Sequence, residues 1–154
     1  PPSASPESLE TGTGRTPLWA LLWNKVQLKP MFGYGYGGFW LGNNGPSVEL
    51  PELIREWASN AHNGFLDLML DLGLVGLALF LTGYTVAFWK ALAHLSSGQF
   101  DPLKLYFPMV LAYILLANIG ASDLLVPNFL FWICIVSASC YYARKLSNAR
   151  QGAN

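Results

Sequence analysis

The sequence predicts an all-α protein: a multi-pass transmembrane helical bundle with an outer-face loop region that contains short helices. Two observations lead there. Apolar residues make up 53% of the chain and charged residues 12%, against about 25% charged in soluble domains. The apolar residues are also gathered into three uninterrupted runs, Leu72 to Trp89, Leu105 to Ser122 and Leu124 to Ala143. Each run is about 18 to 20 residues long, enough for a helix to cross a hydrocarbon core of about 30 Å. Only a helix crosses it while satisfying its own backbone.

The elements follow in order. Residues 1–14 (PPSASPESLETGTG) form an irregular lead-in. Thr16-Pro17 is expected to cap a helix that Pro30 stops, with Trp19, Leu22, Trp23 and Val26 on one face. Residues 31–48 make a Gly-aromatic loop, and residues 51–60 a short polar helix with Leu53, Ile54 and Trp57 facing inward. The front piece offers no obvious core of its own. The first span is expected to start near Asn63, which puts Asp67 and Asp71 in its first turns, where carboxylates complement the helix dipole. The resulting division is 1–62 as outer loop region, 63–143 as three spans (63–89, 104–122 and 124–143), and 144–154 as tail. Lys90, His94 and Lys104 between the first two spans, and Arg144, Lys145 and Arg150 in the tail, place those segments in the cytoplasm and residues 1–62 outside. Cys134 and Cys140 lie within the last run and read as small buried hydrophobes. The chain opens Pro-Pro-Ser without an initiator methionine, as expected of a piece of a longer protein. Zero net charge gives no sign of a nucleic-acid partner.

Few residues carry chemistry. Gly33 to Gly38 spells G-x-G-x-x-G, but no strand precedes it and no helix can open at Phe39 to Pro46, so a dinucleotide site is rejected. The glycines suit tight turns, or a loop whose bare amides approach a phosphate or a sugar. His62, at the mouth of the first span, is placed either as a polar cap or as a general base. His94 falls on the opposite side, so the two histidines build no metal cluster. Asp67 and Asp71 share a helix face and either complement the dipole, orient His62 or bind a cation. Arg15 follows a Gly-rich turn, and its guanidinium suits a diphosphate. Lys25, Lys29 and Arg55 are weaker candidates of the same kind.

Three segments in this order carry a family likeness: Thr13-Gly14-Arg15-Thr16-Pro17-Leu18-Trp19, Lys29-Pro30-Met31-Phe32-Gly33-Tyr34-Gly35, and His62-Asn63-Gly64-Phe65-Leu66 running into Leu72-Gly73-Leu74-Val75-Gly76. Together they resemble the C-terminal half of the O-antigen ligase and O-antigen (exopolysaccharide) polymerase family, over roughly residues 11–143. The resemblance implies a GT-C-type glycosyltransferase of the bacterial inner membrane, with residues 1–62 on the periplasmic side. Its donor would be a polyprenyl diphosphate-linked glycan and its acceptor a saccharide, with no cofactor and no metal. By motif match, His62 and Arg15 take the catalytic roles. Trp19, Lys29, Tyr34, Gly35, Arg55 and Asn63 are the candidate substrate-binding positions. Two other readings remain open at this point: a piece of a polysaccharide transporter or flippase, and a non-catalytic membrane anchor. The spans hold only Asn118, Asn128 and small hydroxyls as polar groups, which disfavours a transport path.

Overall fold

The computed structural model describes residues 15–95 and 103–126, with a few positions beyond. All elements among them are helical: α1 (Arg15–Leu28), two single 3-10 turns (Gly42–Asn44 and Pro46–Glu49), α2 (Glu52–Trp57), α3 (Gly64–Leu95) and α4 (Leu103–Ala117). The chain divides into two compact units. The first joins residues 1–81 to 118–125, and the second joins 82–117 to 126–154.

The first unit has a core. Leu18, Leu22 and Val26 stand four residues apart on α1 and are buried together with Phe39, Leu50, Ile54, Ala58, Ala61, Leu66 and Leu70. Of the expected face, Leu22 and Val26 are in the buried stripe and the two tryptophans are not. Trp19 only flanks the core, and Trp23 is exposed. Spacing of i, i+4, i+8 keeps 18, 22 and 26 on one line, and the tryptophans fall beside it. The front piece lacked an evident core in the sequence because the core is completed from outside it, by Leu66 and Leu70 of α3. Among the described residues α1 is already helical at Arg15, so Thr16 lies inside the helix rather than at its cap. In α2, Ile54 is buried as expected; the side chains of Leu53 and Trp57 lie outside the described set.

Helix α3 is broken at Gly73, whose φ of 66° and ψ of −165° are not helical. This conformation belongs essentially to glycine. The loop after α1 fills the break. The amides of Tyr34 and Gly35 donate to the carbonyls of Leu70 and Asp71 at 2.7 and 2.8 Å, while Leu74 and Val75 donate to the carbonyls of Pro30 and Met31 at 2.8 and 3.2 Å. The loop thus supplies donors to the carbonyls left by the first segment and acceptors to the amides opening the second, the groups that a helix end leaves unsatisfied. Contact is backbone to backbone. A Cβ at Gly73 would run into Met31 and lie 2.6 Å from the Phe32 nitrogen, and one at Gly33 would lie 2.6 Å from the Asp71 carbonyl carbon.

By length and composition α3 is the one helix among the described residues able to cross a membrane. From Leu74 to Leu95, past the break, it rises about 33 Å at 1.5 Å per residue, which matches a hydrocarbon core. Helix α4 is apolar but ends at Ala117, five residues short of the expected 122, because Asn118 to Val126 turns away. The expected span over 124–143 lies mostly outside the described residues. In the second unit Val86, Trp89, Met109, Tyr113 and Leu116 are exposed. Apolar surface of that extent suits lipid or further helices better than water. Cys134 and Cys140 are unbridged, and Cys140 is exposed rather than buried.

Candidate functional site

The site forms where α3 begins. Asn63 is its N-cap: Oδ1 accepts from the amides of Phe65 and Leu66, each at 3.1 Å. The turn after α4 clamps this end. Asn63 donates its amide to Ser122 Oγ at 3.0 Å and Gly64 donates to the Asn118 carbonyl at 2.9 Å. Asn118 Oδ1 accepts from the Asp123 amide at 3.0 Å, which holds the turn closed. Gly64 is required here, since a Cβ would meet Asn118 and come within 3.0 Å of Leu124.

His62 precedes the cap with φ of 49°. A left-handed conformation costs a residue with a Cβ roughly 1–2 kcal/mol. The neighbouring peptide groups hold it there. Asn60 Oδ1 accepts the His62 amide at 2.9 Å. Both carboxylate oxygens of Asp67 accept the Ala61 amide at 3.1 Å, and the Ala61 carbonyl accepts the Trp19 indole N–H at 2.8 Å. Together with the Asn63–Ser122 bond, these anchors fix the backbone on both sides of the imidazole.

Asp67 is the centre of this arrangement. It is 7% exposed and also accepts the Trp40 indole N–H at 2.7 Å and the Ser122 hydroxyl. It lies close enough to His62 for the two side chains to interact electrostatically. A buried carboxylate is tolerated when charge-assisted hydrogen bonds replace its water. Asp67 lies in the first turn of α3 as expected, and its burial makes it an internal hub as well as a complement to the helix dipole. Asp71, one turn on and also buried, accepts the Gly37 amide at 2.8 Å.

Arg15 reaches the same region from α1. It stands one turn before Trp19, and its guanidinium nitrogen would be 3.3 Å from a Cβ at Gly120. Gly120 belongs to the turn whose Asn118 and Ser122 hold the start of α3. Arg15, Trp19, His62 and Asn63 are thus brought around one turn. The Arg15 guanidinium is exposed and has no ion-pair partner among the described residues.

The other candidates lie elsewhere. Lys29 sits over the Tyr34 ring, 4.8 Å from its centroid, and the Tyr34 hydroxyl donates to the Lys25 carbonyl at 3.0 Å. Partial burial raises the Tyr34 phenol above its ordinary value, against the pull of Lys25. Tyr34 and Gly35 use their amides in the helix break, and Gly37 and Gly38 use theirs on Asp71 and the Gly35 carbonyl. These amides are therefore engaged internally instead of facing a phosphate. Lys25 pairs with Glu49, which holds that carboxyl below its usual range. Arg55 lies on α2, beside a cavity lined also by Trp40. Sequence reasoning missed Asn118 and Ser122 as parts of the site. The signal for both was a cluster of polar side chains closing an apolar run.

Comparison with known proteins bears on the family of the chain. The family described as "O-Antigen ligase" matches residues 5–81, a range that ends where the first unit's continuous stretch ends. Exopolysaccharide production protein ExoQ of Rhizobium meliloti (strain 1021) is 28% identical over 120 residues, covering 76% of this chain and 28% of that protein. Proteins named as polysaccharide ligases in Rickettsia prowazekii and Rickettsia felis are 33% and 30% identical, over 42% and 54% of this chain and 16% and 21% of their own lengths. The chain thus spans less than a third of each of these relatives. No solved structure matches. With half of its length matched and the three motifs gathered at one helix start and one helix break, the chain belongs to the O-antigen ligase family.

Proposed function

We propose that this chain supplies the acceptor-activating part of a membrane glycosyltransferase. In this reading the enzyme moves a glycan from a polyprenyl diphosphate carrier to an acceptor sugar in O-antigen or exopolysaccharide assembly. The observation that carries the proposal is His62. It is held in a costly backbone conformation by anchors on both sides, and the Arg15 guanidinium, without an ion-pair partner among the described residues, faces the same turn. Strain maintained in this way points to a functional demand on the side chain.

The chemistry follows from the placement. His62 takes the proton of the acceptor hydroxyl as its oxygen attacks the anomeric carbon of the donor. The bond from that carbon to the diphosphate oxygen breaks, and its electron pair leaves with the polyprenyl diphosphate. Arg15 stabilises the charge that grows there. Asp67 steadies the imidazolium that forms. A single displacement inverts the anomeric centre. The apolar helices belong to a multi-pass bundle in the bacterial inner membrane, with residues 1–62 on the periplasmic side and 144–154 in the cytoplasm.

The test is transfer from a lipid-linked donor by the full-length protein carrying His62→Ala or Arg15→Ala. His62→Ala is expected to lower kcat by about 10² to 10⁴ with donor binding retained, and Arg15→Ala to weaken donor binding as well. Wild-type turnover in His62→Ala removes the acid–base role.

A further inference from the structure

From the cavity beside α2 we infer a subsite for one saccharide residue bearing a carboxylate. The cavity measures about 210 Å³, and Trp40, Asn43, Ser47, Arg55, Ala58 and Ser59 are among the residues that line it. This is below the roughly 300 Å³ at which pockets for drug-sized ligands begin, so it holds one ring and not an oligosaccharide. The inference rests on the proposed function in one respect: it takes this groove as a holding point for the glycan next to the transfer centre.

Three features select the ligand. The Trp40 ring is fixed before anything binds, because its N–H is bonded to buried Asp67 at 2.7 Å and its edge meets Phe39 at 5.0 Å and 83°. A preset aromatic surface stacks on the apolar face of a sugar ring without a further loss of rotamer freedom. Asn43, Ser47 and Ser59 offer an amide and two hydroxyls, which both donate and accept, as a row of sugar hydroxyls does. Arg55 is the charged member of the lining. Its guanidinium is exposed and unpaired among the described residues, and Glu52, one turn earlier on α2, makes no ion pair with it. A planar fork with no internal partner fits a carboxylate. The groove also communicates with the transfer centre: the carboxylate that orients Trp40 is the one that holds the Ala61 amide next to His62.

The test measures binding, not turnover, in the full-length protein in lipid nanodiscs, with glucuronate and glucose as probes followed by saturation-transfer NMR. Glucuronate should bind about tenfold more tightly than glucose at low salt, the worth of one exposed charge-assisted contact. Arg55→Gln should erase the preference and Arg55→Lys restore part of it. Trp40→Phe, which keeps an aromatic surface but loses the N–H, should weaken both probes together. Equal affinity for the two probes, no binding, or a preference that survives Arg55→Gln overturns the subsite. The two readings fail separately. If the Arg55-dependent preference is found while His62→Ala retains turnover, the transfer mechanism falls and the groove stands.

Discussion

Replacing Gly73 by alanine tests the splice that joins α3 to the loop before it. Two costs arise at that position. The backbone angles of 66° and −165° lie in a region essentially closed to residues with a Cβ, worth about 1–3 kcal/mol. A methyl group would also occupy the place of the Met31 carbonyl, so the loop must back away. That movement strains the bonds Tyr34–Leu70, Gly35–Asp71, Leu74–Pro30 and Val75–Met31, each worth about 1 kcal/mol net. If half are lost, the total is about 3–5 kcal/mol. Gly37→Ala provides the internal comparison. Its φ of 63° is similar, but nothing lies within 4 Å of its Cβ, so it should cost about 1 kcal/mol. Thermal unfolding of the purified full-length protein, together with protease sensitivity of the 29–38 loop, reports both. A Gly73→Ala protein as stable and as protease-resistant as Gly37→Ala would refute the idea that the loop is built into the helix break.

Three further outcomes follow, two at the site and one at the Lys25–Glu49 pair away from it. Asp67→Asn keeps the shape but sets an amide against the Ala61 and Trp40 donors, and should cost about 2–4 kcal/mol and lower kcat more than it raises KM in the transfer assay. Asn63→Ala removes the cap of α3 and should cost about 1 kcal/mol in a melting experiment, with Asn63→Asp retaining most of the stability. The Glu49 carboxyl is held below its usual range by Lys25, so the contribution of this pair is present above the unfolded carboxylate pKa and fades as pH falls through the lower folded value. Glu49→Gln should therefore leave the melting temperature nearly unchanged in acid, where the pair is already lost, and any loss should show only at higher pH, in a pH series of melts.

What was legible in the sequence depended on whether a feature was local. The start of α3 at Asn63, the stop of α1 before Pro30 and the turn role of the glycines follow from short-range rules on capping, proline and φ. The family motifs also placed Arg15 and His62 on one site. The break at Gly73 was hidden. Gly73 sits in an unbroken apolar run, and its conformation is set by Met31 and Phe32, some forty residues away in the chain. The same holds for Asp67, which reads as dipole complementation until the indole of Trp40 and the Ser122 hydroxyl arrive from distant segments. The early end of α4 was partly legible: Asn118 and Gly120 are local stop signals, while the use of Asn118 and Ser122 as partners for Gly64 and Asn63 was not.

These long-range ties converge on the left-handed φ of His62, and a pair of substitutions separates a functional histidine from a structural one. Alanine at position 62 keeps a Cβ in the left-handed region; glycine does not. At an ordinary position glycine is the less stable of the two by about 0.5–1 kcal/mol, through the entropy of the unfolded chain. At φ of 49° the order should invert, because glycine escapes a penalty of about 1–2 kcal/mol. His62→Gly is thus expected to melt at or above His62→Ala, with both inactive in transfer. The left-handed backbone would then be imposed by the anchors whatever side chain stands at 62, and the loss of transfer in both variants would be the share that belongs to the imidazole. If His62→Ala is instead the more stable by the usual margin, the backbone at 62 is not held left-handed in the working protein. The argument that the anchors on Ala61, His62 and Asn63 exist to aim the imidazole would lose its ground.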